Sequence, residues 1–122
     1  MQYKTAFLTI ASQNLETLVT FYKLLLEQSP DPYLPNKYAE FQLQGGLTLG
    51  IFQPKETHKN QFSQPEKSAM SLCIEVSNLE SAIAQLSSLG YPPTSQMVTA
   101  SHGKEIYAYD PDGNRLILHC SR

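Results

Sequence analysis

Two stretches of this chain repeat each other at a constant spacing, and that repeat limits the folds open to it. Phe7-Leu8-Thr9-Ile10 runs into Asn14-Leu15-Glu16-Thr17, and Ser71-Leu72-Cys73-Ile74 runs into Asn78-Leu79-Glu80-Ser81, with 64 residues between every matched pair. Each copy continues into a helix-like run. Self-similarity at a fixed period dictates architecture, but two copies cannot close the continuous core of a solenoid, which needs about three. Paired modules point instead to a pseudo-twofold domain with a site where the halves meet.

Size and charge narrow the field. A chain of 122 residues fits one domain with a modest core. Nine basic residues stand against eleven acidic ones without a basic stripe, so nucleic acid is not an expected partner. No apolar run reaches membrane-spanning length, so no membrane is expected either. The N-terminus leads straight into a strand pattern rather than a charged, apolar and cleavable leader. Cys73 and Cys120 form no CxxC pair, and reduced thiols in a cytoplasmic protein are the simplest expectation.

Residues 3–10 alternate, with Ala6, Leu8 and Ile10 on one face, which predicts a strand packed on one side. Asn14 is placed to cap a helix with its side chain. Leu15, Leu18, Val19, Tyr22, Leu25 and Leu26 then fall at helical spacing over 14–27. Pro30, Pro32 and Pro35 argue against regular structure across 29–36. Tyr38–Leu43 and Leu47–Phe52 flank Gly45-Gly46 as a hairpin. The second copy predicts a strand over 70–76, a helix over 78–89 closed by Gly90, and a hairpin of 104–109 and 114–120 through Asp110-Pro111-Asp112-Gly113. The expected organisation is one domain, 1–122, with module one at 1–53, a linker at 54–68 and module two at 69–122. The fold class is α+β: tandem βαβββ modules forming a cupped mixed sheet with a concave groove.

These residues resemble the vicinal oxygen chelate superfamily of glyoxalase I, bleomycin resistance proteins, fosfomycin resistance proteins and extradiol dioxygenases. The resemblance is carried by Asn14-Leu15-Glu16 with Phe21-Tyr22, by its echo at Asn78-Leu79-Glu80, and by the closing run Tyr109-Asp110-Pro111-Asp112-Gly113-Asn114-Arg115-Leu116. Lys37-Tyr38-Ala39-Glu40-Phe41 also looks like the cadmium-induced and arsenic–carbon lyase branch. Enzymes of the superfamily hold one divalent metal with ligands from both modules, because N and O donors leave positions open for substrate oxygens. Carried over residue by residue, the ligand positions fall on Phe7, Ser71, Ile117 and a site near Gly50. Phe, Ile and Gly offer no side-chain donor and a neutral Ser is a poor one, so the resemblance implies neither metal nor other cofactor here. His58, His102, His119, Glu75 and Glu105 are the residues that could form a relocated set.

Strand alternation assigns Leu49, Ile51, Leu72, Ile74, Val76, Leu116 and Leu118 to the core with Ala6, Leu8 and Ile10. The opposite face then shows Thr5, Phe7, Thr9, Thr48, Gly50, Phe52, Ser71, Cys73, Glu75, Arg115, Ile117 and His119. The tyrosine of fosfomycin resistance relatives adds Tyr107. Aromatic bodies with sparse polar tips suit a small-molecule pocket. The candidate ligand-binding residues are Phe7, Thr9, Thr48, Phe52, Ser71, Cys73, Glu75, Tyr107, Arg115 and His119, with no metal ligand and no catalytic residue assigned. Phe7, Phe52 and Ile117 either line the groove or plug it. Arg115 either binds an anion or pairs with Glu75, and the pairing is the commoner arrangement. Glu75 could serve as a general base only with a pKa raised by burial. Cys73 reads as a small buried hydrophobe rather than a nucleophile.

Three functions are compatible with this pattern. The first is a metal-free protein that binds a small molecule in the groove, with a homodimer implied by the resemblance to binding-type relatives. The second is an enzyme of lyase, isomerase or dioxygenase type, using relocated metal ligands or Glu75 and His119 as acid and base. The third is an interaction protein whose groove is plugged.

Overall fold

Leu8 and Leu72, which are 64 residues apart, each open a four-residue strand, and Leu15 and Leu79, at the same separation, each open a helix. The computed structural model describes residues 1–121. The first compact unit, Met1–Ser63, contains β1 (Leu8–Ala11), α1 (Leu15–Leu26), β2 (Tyr33–Leu34), β3 (Tyr38–Gln42) and β4 (Thr48–Phe52). The second unit begins at Gln64 and contains β5 (Leu72–Glu75), α2 (Leu79–Ser88), β6 (Val98–Ala100), β7 (Gly103–Tyr109) and β8 (Arg115–Ser121). Each unit is a βαβββ module whose sheet has four strands. The strand orders are β1-β4-β3-β2 and β5-β8-β7-β6, with the first pair parallel and the rest antiparallel.

Each helix covers one face of its sheet because its apolar stripe meets the inward residues of the strand paired with the unit's first strand. In unit one α1 buries Leu15, Leu18, Val19, Phe21 and Tyr22 and packs on β4, which buries Leu49 and Ile51. The Tyr22 and Phe41 rings lie 6.4 Å apart in that core. In unit two α2 buries Leu79 and Leu86 and packs on β8, where Leu116 and Leu118 are buried. Truncating such a leucine costs about 2–5 kcal/mol, through lost transfer energy and the cavity left behind.

The two helix starts are built differently. Asn14 makes no side-chain cap. The buried Ser12 hydroxyl accepts the Asn14 N–H at 3.1 Å and organises that turn instead. At the matching place in unit two stands Val76, which has no hydroxyl, and there Asn78 Oδ1 accepts the Ser81 N–H at 2.8 Å as a cap should. The end of α2 follows the sequence reading: Gly90 adopts φ 95°, and Tyr91 N–H reaches back to Leu86 C=O at 2.9 Å.

Several sequence expectations are corrected. The first strand starts at Leu8 rather than residue 3, leaving Ala6 exposed and Phe7 ahead of the strand, and the β1–β4 ladder begins at the Leu8–Leu49 pair. The proline-rich 29–36 segment holds β2. Proline is tolerated on an edge strand, since it keeps its carbonyl: Pro32 C=O accepts from Glu40 N–H at 3.0 Å, and Asp31 N–H donates to Glu40 C=O at 2.9 Å. Glu16 of α1 anchors the same segment through the Tyr33 hydroxyl and, at 2.8 Å, the Asn36 N–H. Residues 56–62 and 65–67 form exposed 3₁₀ turns in the stretch read as a linker. No helix among the described residues is long and apolar enough to cross a membrane.

Candidate functional site

The sheet faces turned away from α1 and α2 carry the candidate residues. In unit two, register sets three rows across the open face. Ser71 neighbours Arg115, which pairs with Tyr109; Cys73 pairs with Ile117, which pairs with Tyr107; Glu75 pairs with His119, which pairs with Glu105. Side chains opposite each other in neighbouring strands share a face and come within contact, so polar groups occupy both ends of the face and an apolar band crosses its middle. Cys73 is exposed rather than buried, and Tyr107 is 42% exposed.

The Asp110–Asn114 turn fixes that register. Asp110 is 3% exposed, and its Oδ1 accepts the Asp112 N–H at 3.0 Å and the Asn114 N–H at 2.9 Å. Its Oδ2 accepts from Asn114 Nδ2 at 2.8 Å. The loop is thereby tied to one carboxylate, and β8 emerges with Arg115, Ile117 and His119 on the open face.

At one end of this face, Glu75 and His119 are engaged with each other. His119 Nδ1 lies 2.6 Å from Glu75 Oε1, while Glu75 Oε2 accepts from the Ser121 N–H at 2.8 Å and hydroxyl at 2.7 Å. The hydrogen bond with His119, then those from Ser121, hold the Glu75 carboxyl down at about 2. A carboxylate so stabilised is a weak base, the reverse of the raised pKa that general-base chemistry requires. His119 Nε2 is enclosed, without a hydrogen-bond partner among the described residues. His102 stacks on the same ring at 5.1 Å with the planes 12° apart, and Gly103 packs against Nε2. The sequence offered no signal for that stack, because nothing in the spacing joins an exposed turn histidine to a strand histidine.

At the other end, Arg115 does not pair with Glu75. Its Nε donates to Ser71 Oγ at 2.6 Å and its Nη2 to Ser68 C=O at 3.2 Å, with Met70 C=O at 3.5 Å. The separation along β8 explains the correction: residues 115 and 119 are four apart, about 13 Å in an extended strand.

The open face of unit one carries Thr9, Thr48, Gly50 and Phe52 of the expected set, with Thr9, Gly50 and Glu40 in one row and Phe52 beside Tyr38 in the next. Phe7 lies outside this ladder and is 51% exposed. Phe52 stacks edge-on with Phe62 at 5.4 Å. A polar chain not foreseen from the sequence runs along this face. Tyr38 Oη donates to Glu40 Oε2 at 2.8 Å, Gln42 Nε2 to Glu40 Oε1 at 2.8 Å, and Thr48 Oγ1 to Gln42 Oε1 at 2.6 Å. Burial, followed by the bond to Glu40, pushes the Tyr38 phenol up to about 12. The alternation of Tyr38, Glu40 and Gln42 with buried Ala39 and Phe41 was the available signal. Gly50 lies beneath this tyrosine: a Cβ there would stand 2.6 Å from Tyr38 Oη and 3.2 Å from Thr9 Cγ2.

The residues at the superfamily's metal positions do not fit a divalent ion. Phe7 and Ile117 bring only carbon, Gly50 is covered by Tyr38, and the Ser71 oxygen is occupied by a guanidinium that would repel a cation. No cluster of three or more His, Cys, Asp or Glu among the described residues could hold a metal.

No protein-family model matches the sequence, and no curated protein matches it. Solved structures do. The fosfomycin resistance protein of Listeria monocytogenes is 17% identical, covers 100% of this chain and 96% of its own, and superposes with a TM-score of 0.77. A glyoxalase/bleomycin resistance protein of Catenulispora acidiphila is 19% identical over 96% of this chain and 97% of its own, with a TM-score of 0.69. A bleomycin-binding protein in complex with bleomycin is 20% identical over 98% of this chain and 100% of its own, with a TM-score of 0.67. The chain thus has the fold of the glyoxalase, bleomycin resistance and fosfomycin resistance proteins, the vicinal oxygen chelate fold.

Proposed function

We propose that the chain binds a small organic molecule on its open sheet faces, without a metal and without acid–base catalysis. The observation that carries this reading is the mutual engagement of Glu75 and His119. The carboxylate sits at about 2 under its hydrogen bonds, and the imidazole nitrogen that could serve a substrate is enclosed by His102 and Gly103. What the face presents instead is contact surface: exposed Cys73 and Tyr107 between polar ends. Small-molecule binding is also what one protein of the same fold does with bleomycin. The candidate ligand residues remain Phe7, Thr9, Thr48, Phe52, Ser71, Cys73, Glu75, Tyr107, Arg115 and His119. The homodimer implied by the resemblance belongs to this proposal and is tested by sedimentation.

The enzyme reading has one observation in its favour, the carboxylate–imidazole pair at 2.6 Å, an arrangement that orients a histidine for proton transfer. Metal content after incubation with Mn²⁺, Fe²⁺, Ni²⁺ or Zn²⁺ and dialysis separates the two. The binding reading expects no stoichiometric metal and a ligand whose affinity falls in Tyr107→Ala. Retained stoichiometric metal, or turnover that disappears in His119→Gln, would establish the enzyme instead.

A further inference from the structure

Arg115 is the cation of unit two's open face, and no carboxylate among the described residues answers it. Glu75 has His119 and Ser121. Arg115 has only neutral acceptors, the Ser71 hydroxyl and the carbonyls of Ser68 and Met70. Neither the Lys59–Glu56 nor the His119–Glu75 ion pair involves it. A guanidinium stays charged at any physiological pH and carries five N–H donors in a planar fork. Here Nε and Nη2 are tied to the protein, which sets the plane of the fork, while Nη1 has no partner among the described residues. A part-buried cation oriented in this way and lacking a counter-ion is suited to an oxyanion, whose planar or tetrahedral oxygens match the fork.

The neighbouring row decides what the rest of the ligand is. One row along from Arg115, Ile117 lies between Cys73 and Tyr107, a band with an aliphatic, a thiol and an aromatic member. In the row beyond it Glu75 and His119 are engaged with each other, beside Glu105. The face therefore runs from an open cationic end, through an apolar band, to a polar end that carries Glu75, His119 and Glu105. We infer that the ligand is a small organic acid, with its carboxylate or phosphate on Arg115 and a flat apolar body against Ile117, Cys73 and Tyr107. This rests on the open face being the ligand site. It adds that the fixed positive charge of a guanidinium lies against the Ser71 hydroxyl.

The test uses the full chain labelled with ¹⁵N and four probes of one shape: benzoate, phenyl phosphate, neutral benzamide and cationic benzamidine. Saturable shifts are expected with one or both acids at the Arg115 side chain and at the amides of Ser71, Cys73, Tyr107 and Ile117. The better acid identifies carboxylate or phosphate as the anion. Benzamide should bind more weakly and benzamidine not at all. Arg115→Gln should weaken the acids by roughly tenfold to a hundredfold, the range for one charge-assisted contact, and leave benzamide unchanged. Arg115→Lys, which keeps the charge but loses the fork, should fall between. A preserved amide spectrum shows that each variant is folded. Acids and benzamide binding equally on this face, with Arg115→Gln indifferent, overturns the anion anchor while leaving the binding face intact. Shifts confined to other surfaces, or none with any probe, overturn both.

Discussion

Replacing Asp110 by alanine tests whether one buried carboxylate sets the register that aligns the open face of unit two. The side chain is 3% exposed and accepts three hydrogen bonds at 2.8–3.0 Å. Asn114 Nδ2 can turn to water once its partner is gone, so its loss costs little. The backbone N–H groups of Asp112 and Asn114 cannot turn away, and each stranded donor costs about 1–3 kcal/mol, for a total of about 2–6 kcal/mol. At ~2.1 cal/mol/K of unfolding entropy per residue over 122 residues, each kcal/mol lowers Tm by about 4 °C, so Asp110→Ala should melt about 8–24 °C below the parent. Asp110→Asn keeps Oδ1 for both backbone donors and loses only the Oδ2 acceptor, so about 1 kcal/mol, or ~4 °C, is expected. Circular dichroism melts and urea midpoints read both numbers. Equal losses in the two variants, or an Asp110→Ala loss no larger than that expected of Asp110→Asn, would refute the argument that the two stranded N–H groups dominate.

Other consequences follow from the same geometry. The folded pKa of Glu75, about 2, lies below the 4.5 of an unperturbed glutamate, so its contribution to stability is complete above pH 4.5 and is lost as the pH falls towards 2; urea midpoints measured across that window should flatten in Glu75→Gln. Gly50→Ala places a Cβ 2.6 Å from Tyr38 Oη, which should swing the phenol out and bring its spectrophotometric titration down from about 12 towards 10; an unmoved titration would mean that Tyr38 does not lie over Gly50. Gly103 sits at φ 146°, with the Cys120 carbonyl where a Cβ would go. Gly103→Ala should therefore cost more than about 1 kcal/mol and shift the His119 imidazole resonances, and an unchanged ring would argue against the packing of Gly103 on Nε2.

The duplicated strand-and-helix pattern was legible because it depends only on neighbours in sequence. Alternation needs a period of two and an amphipathic helix a period of 3.6, and both survive without knowledge of the partner. That is why the starts of β1 and β5, and of α1 and α2, stand at one spacing, and why Leu49, Ile51, Leu116 and Leu118 were assigned to the core they occupy. The Gly90 stop and the Asp110–Asn114 hairpin were legible for the same reason, since their chemistry is local.

What depended on partners was not legible. Asn14 and Asn78 are the same residue in the same place, yet only the second caps its helix, and only in the first copy does a serine hydroxyl, that of Ser12, hold the asparagine N–H. β2 exists because β3 supplies a ladder to a proline-rich edge. The sequence by itself determined the βαβββ repeat and which side of each strand carries polar groups, since periodicity is a property of the chain alone. Only the tertiary structure decided what those groups do. Strand pairing brought Glu75 to His119 rather than to Arg115, His102 over the same ring, and Arg115 to Ser71, and contacts between residues 17 or 44 positions apart leave no trace in local spacing.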